Sequence, residues 1–174
     1  VEAGAIHGNK SQPQRERTLE AFKKGKLRVL VATDIAGRGI DLPEVRFVVN
    51  IDYPTSTKIF VHRCGRTARQ GRSGEALLIA TRAELPYLFE AAAGAGRAVR
   101  DAAEDAPGLE ASALWVSRVA EEHFQSLQER FEQWKRLDDE LASMSETALK
   151  SMDKFTQTRS SCPGRYHAAA KALP

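Results

Sequence analysis

Apolar positions fall in two rhythms along this chain. In the first half they form short continuous runs: 27–33 (LRVLVAT), 47–51 (FVVNI) and 76–80 (ALLIA). Unbroken β-rich runs of this length predict strands buried on both faces. A shorter strand closes at Ala5 and Ile6. Helical spacings lie between the runs. Ser11 offers a cap, Pro13 a first-turn residue, Leu19 and Phe22 share a face, and Gly25 is a C-terminal stop. A second helix follows from Ser56, with Ile59 and His62 on one side. Strand and helix alternate, which predicts an α/β domain with a mostly parallel sheet.

Beyond Arg82 the rhythm changes. ELPYLFEAAA (84–93) is one more apolar stretch, and residues 94–108, rich in Gly, Ala and acid, read as a linker. From 109 to about 155 the pattern carries no strand. Ala120, Phe124, Leu127, Phe131, Trp134 and Leu141 follow helical spacing, with a break at Asp138. Residues 109–174 are therefore expected to form an α-helical C-terminal extension, an apolar docking stripe on one side and Glu121, Glu122, Glu129, Glu132, Asp139 and Glu140 on the other. Residues 160–166 are turn-rich, and a weak final helix follows.

Charge divides along the same line. Residues 1–82 hold 15 Lys+Arg against 8 Asp+Glu, and residues 83–174 hold 11 against 15. The first half suits an anionic partner. No apolar run is long enough to span a bilayer, so no membrane partner is expected. The two cysteines, Cys64 and Cys162, lie far apart, which fits a reducing compartment rather than a disulfide framework.

The sharpest chemistry is HRCGRTARQGRSG (62–74), with four arginines and no acid. Arg63, Arg66, Arg69 and Arg72 repeat every third residue, so a continuing helix would gather the first three on one sector. Convergent guanidinium groups suit a multivalent phosphate. An ordinary solvated basic helix would carry acids at i+4. A second segment, VATDIAGRGIDLP (31–43), leaves the C-terminal end of a strand, where α/β sheets bind ligands. Thr33 offers it a hydroxyl, Gly37 and Gly39 close backbone approach, and Asp34 and Asp41 carboxylates for ribose hydroxyls or an arginine. A third, HGNKSQPQRER (7–17), is a basic loop entering a helix.

In this order and spacing the three segments resemble the C-terminal RecA-like lobe of DEAD-box RNA helicases, over residues 1 to about 90. His62, Arg63, Gly65, Arg66, Arg69 and Gly71 match the family's HRxGRxxRxG motif VI, and Thr33, Asp34, Arg38, Gly39 and Asp41 match motif V. Gln12 and Arg15 match its QxxR element, a pattern that Gln14 and Arg17 fit equally. Gly37 stands where Ala is usual, and Ala68 where relatives often carry Gly. The resemblance implies that Arg66 and Arg69 act as arginine fingers on the γ-phosphate of ATP. It implies that His62 and Arg63 couple this lobe to an N-terminal RecA-like lobe, and that Asp41 contacts the ATP ribose. Gly8, Gln12, Arg15, Thr33 and Gly39 would face the RNA backbone. ATP with Mg2+ would be held mainly by the other lobe. No metal ligands are expected in this chain.

The sequence contains no GxxxxGK[ST] loop and no DEAD tetrapeptide, and it opens on Val1. The expectation is therefore one part of a larger helicase, incomplete at the start of its lobe and inactive alone. Residues 55–63 and 83–90 resemble a nucleolar DEAD-box subfamily that assists large ribosomal subunit assembly. That implies ribosomal RNA, pre-ribosomal proteins and a nuclear setting. HGNKSQ is instead similar to bacterial-type and general DEAD-box helicases. Two other readings compete: a catalytically inactive RNA-binding scaffold, which intact Arg66 and Arg69 disfavour, and a DNA-acting helicase lobe, which the wording of motifs V and VI disfavours. Between its arginines, Cys64 is read as an inert thiol.

Overall fold

The computed structural model describes residues 1–34, 45–68, 71–102 and 113–173. They fall into two compact units, Val1–Ala80 and Thr81–Pro174.

The first unit is built from two parallel strand pairs. β1 (Ala3–Ile6) pairs with β2 (Val29–Ala32), Ala3 opposite Val29 and Ile6 opposite Ala32. β3 (Phe47–Ile51) pairs with β4 (Glu75–Ile79), Phe47 opposite Glu75 and Ile51 opposite Ile79. Among the described residues each pair is crossed by one helix, α1 (Gln12–Lys23) and α2 (Thr57–Cys64) respectively.

Local chemistry sets the ends of α1. The Ser11 N–H donates to Gln14 Oε1 at 2.9 Å, and Pro13 occupies the first turn. At the other end Gly25 takes φ +72, and Lys26 N–H returns to the Ala21 carbonyl at 2.9 Å. A Cβ on Gly4 would lie 2.6 Å from Leu27 Cδ1 and 2.8 Å from Thr18 Cγ2, so glycine lets β1 sit close under α1.

Ile6 and Tyr53 are almost wholly buried. Tyr53 stacks on Phe60 of α2 at 5.1 Å, and its hydroxyl lies 3.1 Å from Thr57 Oγ1. Asn50 is a buried polar residue of β3. Its Nδ2 donates to the Leu77 carbonyl at 3.3 Å and to Cys64 Sγ at 3.8 Å, tying β3 to β4 and α2.

The strands were expected to be buried on both faces, and they are not. Val31, Phe47, Val49, Ile51 and Leu77 are each more than half exposed. A parallel pair crossed by one helix has one face covered, and alternate side chains on the other face stay open.

The second unit departs further from expectation. A short 3-10 turn (Arg82–Glu84) leads into α3 (Leu85–Gly94). β5 (Ala98–Asp101) then falls inside the stretch read as a linker. It pairs in parallel with β6 (Ala113–Val116), where no strand was expected. Strand pairing is a non-local contact, and neither four-residue segment carries the β-branched run that would announce it. The helical stripe is likewise two helices, α4 (Glu121–Leu137) and α5 (Asp139–Thr158). Asp138 separates them in extended conformation and caps α5, accepting from Leu141 N–H at 3.0 Å.

The final helix, α6 (Gly164–Ala172), packs on α3, so the C-terminal residues belong with 81–94 rather than to a separate extension. Their fastening is polar, and its central ion pair is buried. Arg159 Nη1 lies 3.4 Å from Glu84 Oε1, with side chains only 6% and 9% exposed. The same guanidinium lies 3.6 Å above the Tyr87 ring. Tyr87 OH donates to the Ser160 carbonyl at 3.0 Å, and Arg82 Nη2 to the Leu173 carbonyl at 3.3 Å. Glu84 Oε2 also accepts from Thr81 N–H at 3.0 Å.

Removing one partner of a buried pair leaves the other charge uncompensated. Arg159→Ala should therefore destabilise the second unit by about 3 kcal/mol, read as a lower urea midpoint by tryptophan fluorescence. A change below about 1 kcal/mol, the range of a surface pair, would refute this account of the fastening.

Candidate functional site

The three sequence segments meet the fold in different ways. Segment 7–10 is the turn between β1 and α1, and Arg15 holds it in shape. Arg15 Nε donates to the Lys10 carbonyl at 2.9 Å and Nη2 to the Gly8 carbonyl at 3.0 Å. A Cβ at Gly8 would meet nothing within 4 Å, so this backbone faces open space. Gln12 Nε2 donates to Glu16 Oε1 at 2.9 Å. Of the two QxxR assignments, Gln12 and Arg15 adjoin the Gly8 turn, whereas Gln14 is engaged in capping α1. Thr33 is exposed at the end of β2, its N–H bonded to the Ile6 carbonyl at 3.2 Å. Arg38, Gly39, Asp41 and Arg69 lie outside the described residues.

Among the described residues of motif VI, only His62, Arg63 and Cys64 are helical. The Ser56 hydroxyl starts α2 by accepting from Ile59 N–H at 3.4 Å, and the helix ends at Cys64. The expectation that a continuing helix gathers Arg63, Arg66 and Arg69 is therefore corrected. Gly65 closes the helix, its N–H on the Val61 carbonyl at 2.8 Å. The chain then turns through Thr67 and Ala68. Thr67 is buried, and its hydroxyl donates to the Arg46 carbonyl at 2.9 Å. A Cβ on Gly74 would collide with Thr67 Oγ1 and lie 2.6 Å from Ala68 N. Arg66 is half-buried in this turn, and its carbonyl accepts from Val45 N–H at 3.0 Å. His62 is exposed on α2.

Arg63 is fully engaged. Its Nε donates to Asp34 Oδ1 at 2.6 Å and its Nη2 to Asp34 Oδ2 at 2.5 Å. Its Nη1 reaches the Asp52 carbonyl at 3.4 Å. Asp52 sits just past β3 with φ +57, a conformation uncommon outside glycine. Asp34 lies just past β2, so this side chain joins the C-terminal ends of both pairs, the edge where α/β sheets present ligand sites.

Sequence reasoning passed over Asn50 and Thr67. The signal for Asn50 was a lone amide inside an apolar run. Thr67 carried none, since its partner is a carbonyl remote in sequence.

Cys64 adjoins Asn50, and burial pushes its thiol above the ordinary range, outweighing the lowering by Asn50 and Arg63. Burial and the neighbouring Glu90 carboxylate raise Cys162 in the same way. Among the described residues no three His, Cys, Asp or Glu side chains gather as a metal site.

Two predictions arise from this geometry. Ala68 takes φ +56, which disfavours residues bearing a Cβ, so Ala68→Gly should stabilise the fold by about 1 kcal/mol by thermal denaturation. A loss of stability would show that the turn does not hold this conformation. Because the thiolate is the nucleophile and burial suppresses it, Cys64 should alkylate with iodoacetamide at pH 7.5 more slowly than a free cysteine. It should approach the free rate in denaturant. Equal rates in the native chain would contradict the burial.

Residues 1–71 match the helicase conserved C-terminal domain. The ATP-dependent RNA helicase DBP3 of Gibberella zeae is 51% identical over 81 residues, 47% of this chain and 14% of the relative. The ATP-dependent rRNA helicase RRP3 of Saccharomyces cerevisiae is 47% identical over 87 residues, 50% of this chain and 17% of the relative. The chain thus spans less than a fifth of the length of these relatives. Among solved structures, domain 2 of the Mss116p DEAD-box helicase bound to an RNA duplex aligns with a TM-score of 0.54 and 29% identity, covering 72% of this chain and 44% of that one. Residues 1–71 thus match the helicase conserved C-terminal domain, and these similarities support a RecA-like fold of the kind found in the C-terminal lobe of DEAD-box helicases.

Proposed function

We propose that this chain serves as the C-terminal lobe of an ATP-dependent RNA helicase that remodels short RNA duplexes. The observation that carries the reading is the motif VI segment. Arg63 fixes the end of α2 at the C-terminal edge of the strands, and Arg66 leaves that end immediately after Gly65.

Phosphoryl transfer needs positioned charge more than covalent participation, and a planar guanidinium spreads over phosphate oxygens in a fixed fork. Arg66 and Arg69 would stabilise the charge that develops on the γ-phosphate of ATP, with Asp41 on the ribose and His62 facing the other lobe. ATP with Mg2+ would be held mainly by an N-terminal RecA-like lobe. The open Gly8 turn, with Gln12, Arg15, Thr33 and Gly39, would meet the RNA phosphates. Arg15 would do so partly by presenting the loop backbone whose carbonyls it binds. Contacts of this kind carry little sequence information, which fits a duplex remodeller. The similarity to an rRNA helicase supports a role in ribosome biogenesis, with ribosomal RNA and pre-ribosomal proteins as partners and a nucleolar setting.

The outward stripe on α4 supports the protein-partner part of this reading. Phe124, Leu127 and Trp134 are half exposed or more, and Phe131 more than a third. Within the second unit the stripe therefore covers no core, and it is available to a partner.

The chain alone should show no ATP hydrolysis, and it should bind single-stranded RNA with an affinity that falls steeply with salt. In the intact helicase, Arg66→Lys should reduce RNA-stimulated ATP turnover by about 10²-fold or more, with RNA affinity nearly unchanged. Turnover by the chain alone, or a parallel loss of RNA affinity in Arg66→Lys, would overturn these assignments.

A further inference from the structure

The resemblance assigns Arg63 to coupling between two lobes and gives Asp34 no role. We propose that Asp34 is a positioning residue: by gripping Arg63 it sets where the motif VI turn, and hence Arg66, stands relative to the strand edge. This inference rests on the helicase reading for what Arg66 does, but not for the grip itself.

Three observations carry it. The grip is bidentate, with Nε to Oδ1 at 2.6 Å and Nη2 to Oδ2 at 2.5 Å. A two-point contact between planar groups fixes orientation as well as distance, which a single ammonium contact cannot do. Both side chains are largely sheltered, 27% and 34% exposed, so water competes less for the pair than at an open surface. Finally, the remaining nitrogen reaches the Asp52 carbonyl at 3.4 Å. All three guanidinium nitrogens thus have acceptors inside this lobe.

The path from Asp34 to Arg66 is short. Arg66 N–H donates to the Arg63 carbonyl at 3.3 Å, and Thr67 N–H to the Cys64 carbonyl at 3.1 Å. The turn that presents Arg66 therefore hangs on the last residues of α2, and those residues hang on Asp34. β2 and β3 belong to different strand pairs, so the Arg63 side chain is a bridge between the pairs. Loosening it would let α2 shift with β3 and β4 relative to β2. A displacement of about 1 Å at a charge-stabilising group can cost on the order of 10²-fold in rate.

The test compares Asp34→Asn, Arg63→Lys, the double variant and Asp34→Glu in the intact helicase. RNA-stimulated ATP hydrolysis should lose about tenfold to 10²-fold in kcat in either of the first two, with KM for ATP within about twofold. The double variant should be no worse than the poorer single, because both remove one interaction. Asp34→Glu should recover part of the rate. Losses that multiply, or a kcat equal to wild type in Asp34→Asn, would overturn the proposal. Hydrogen exchange on the same polypeptides decides the grip without any activity. Amides of residues 63–67 should exchange faster in Asp34→Asn while those of α1 stay as in wild type, and unchanged exchange at 63–67 would also overturn it. If the wild-type polypeptide shows no RNA-stimulated hydrolysis, the helicase reading fails, and the exchange result still decides whether Asp34 positions the turn.

Discussion

The guanidinium of Arg63 reaches the ends of two strands at once, taking the Asp34 carboxylate on one edge and the Asp52 carbonyl on another. Each strand pair could fold as a local crossover with its own helix. What a ligand site needs is their relative register at the edge, and apolar packing is too undirected to set that alone. A planar fork with three occupied nitrogens is directional. The turn around Thr67, Ala68 and Gly74 completes the arrangement, because the threonine hydroxyl fills the space a side chain at 74 would need.

Much of the first unit was legible because its determinants are local. Ser11, Pro13 and Gly25 mark the ends of α1 wherever the helix docks, and the apolar runs place β2, β3 and β4 within a residue or two. The spacing of the arginines misled for an identifiable reason. A period of three has geometric meaning only while the helix continues, and the helix stops at Gly65, where a buried threonine finds a carbonyl 21 residues away in sequence. Such partners leave no periodic trace. Beside this, the roles proposed for Gly8, Gln12, Thr33, His62 and Arg66 rest on wording, through resemblance, rather than on geometry.

The second unit was less legible because its order is non-local. Arg159 lies just before a stretch that reads as turn-rich, yet its side chain is buried, held by Glu84 and Tyr87 some 70 residues earlier. The stripe along α4 was read correctly as amphipathic. Amphipathicity says that a face is able to dock, however, and not that its partner lies in the same unit. Asp138 reads as a blemish in the pattern and acts as a cap, its carboxylate accepting from the Leu141 N–H.

The pairing of β5 with β6 comes before α4, and the Arg159 fastening follows α5. The two-helix excursion therefore leaves and rejoins this base, touching its fastening through Phe155, whose ring lies 5.3 Å from the Arg159 guanidinium. Because closing a flexible loop costs only about 0.6 kcal/mol more per doubling of its length, the part of the arm away from Phe155 has room to lengthen, shorten or change sequence at little cost to α3 and α6. Divergence among chains of this design should accordingly gather in the arm, giving one base a choice of attachments.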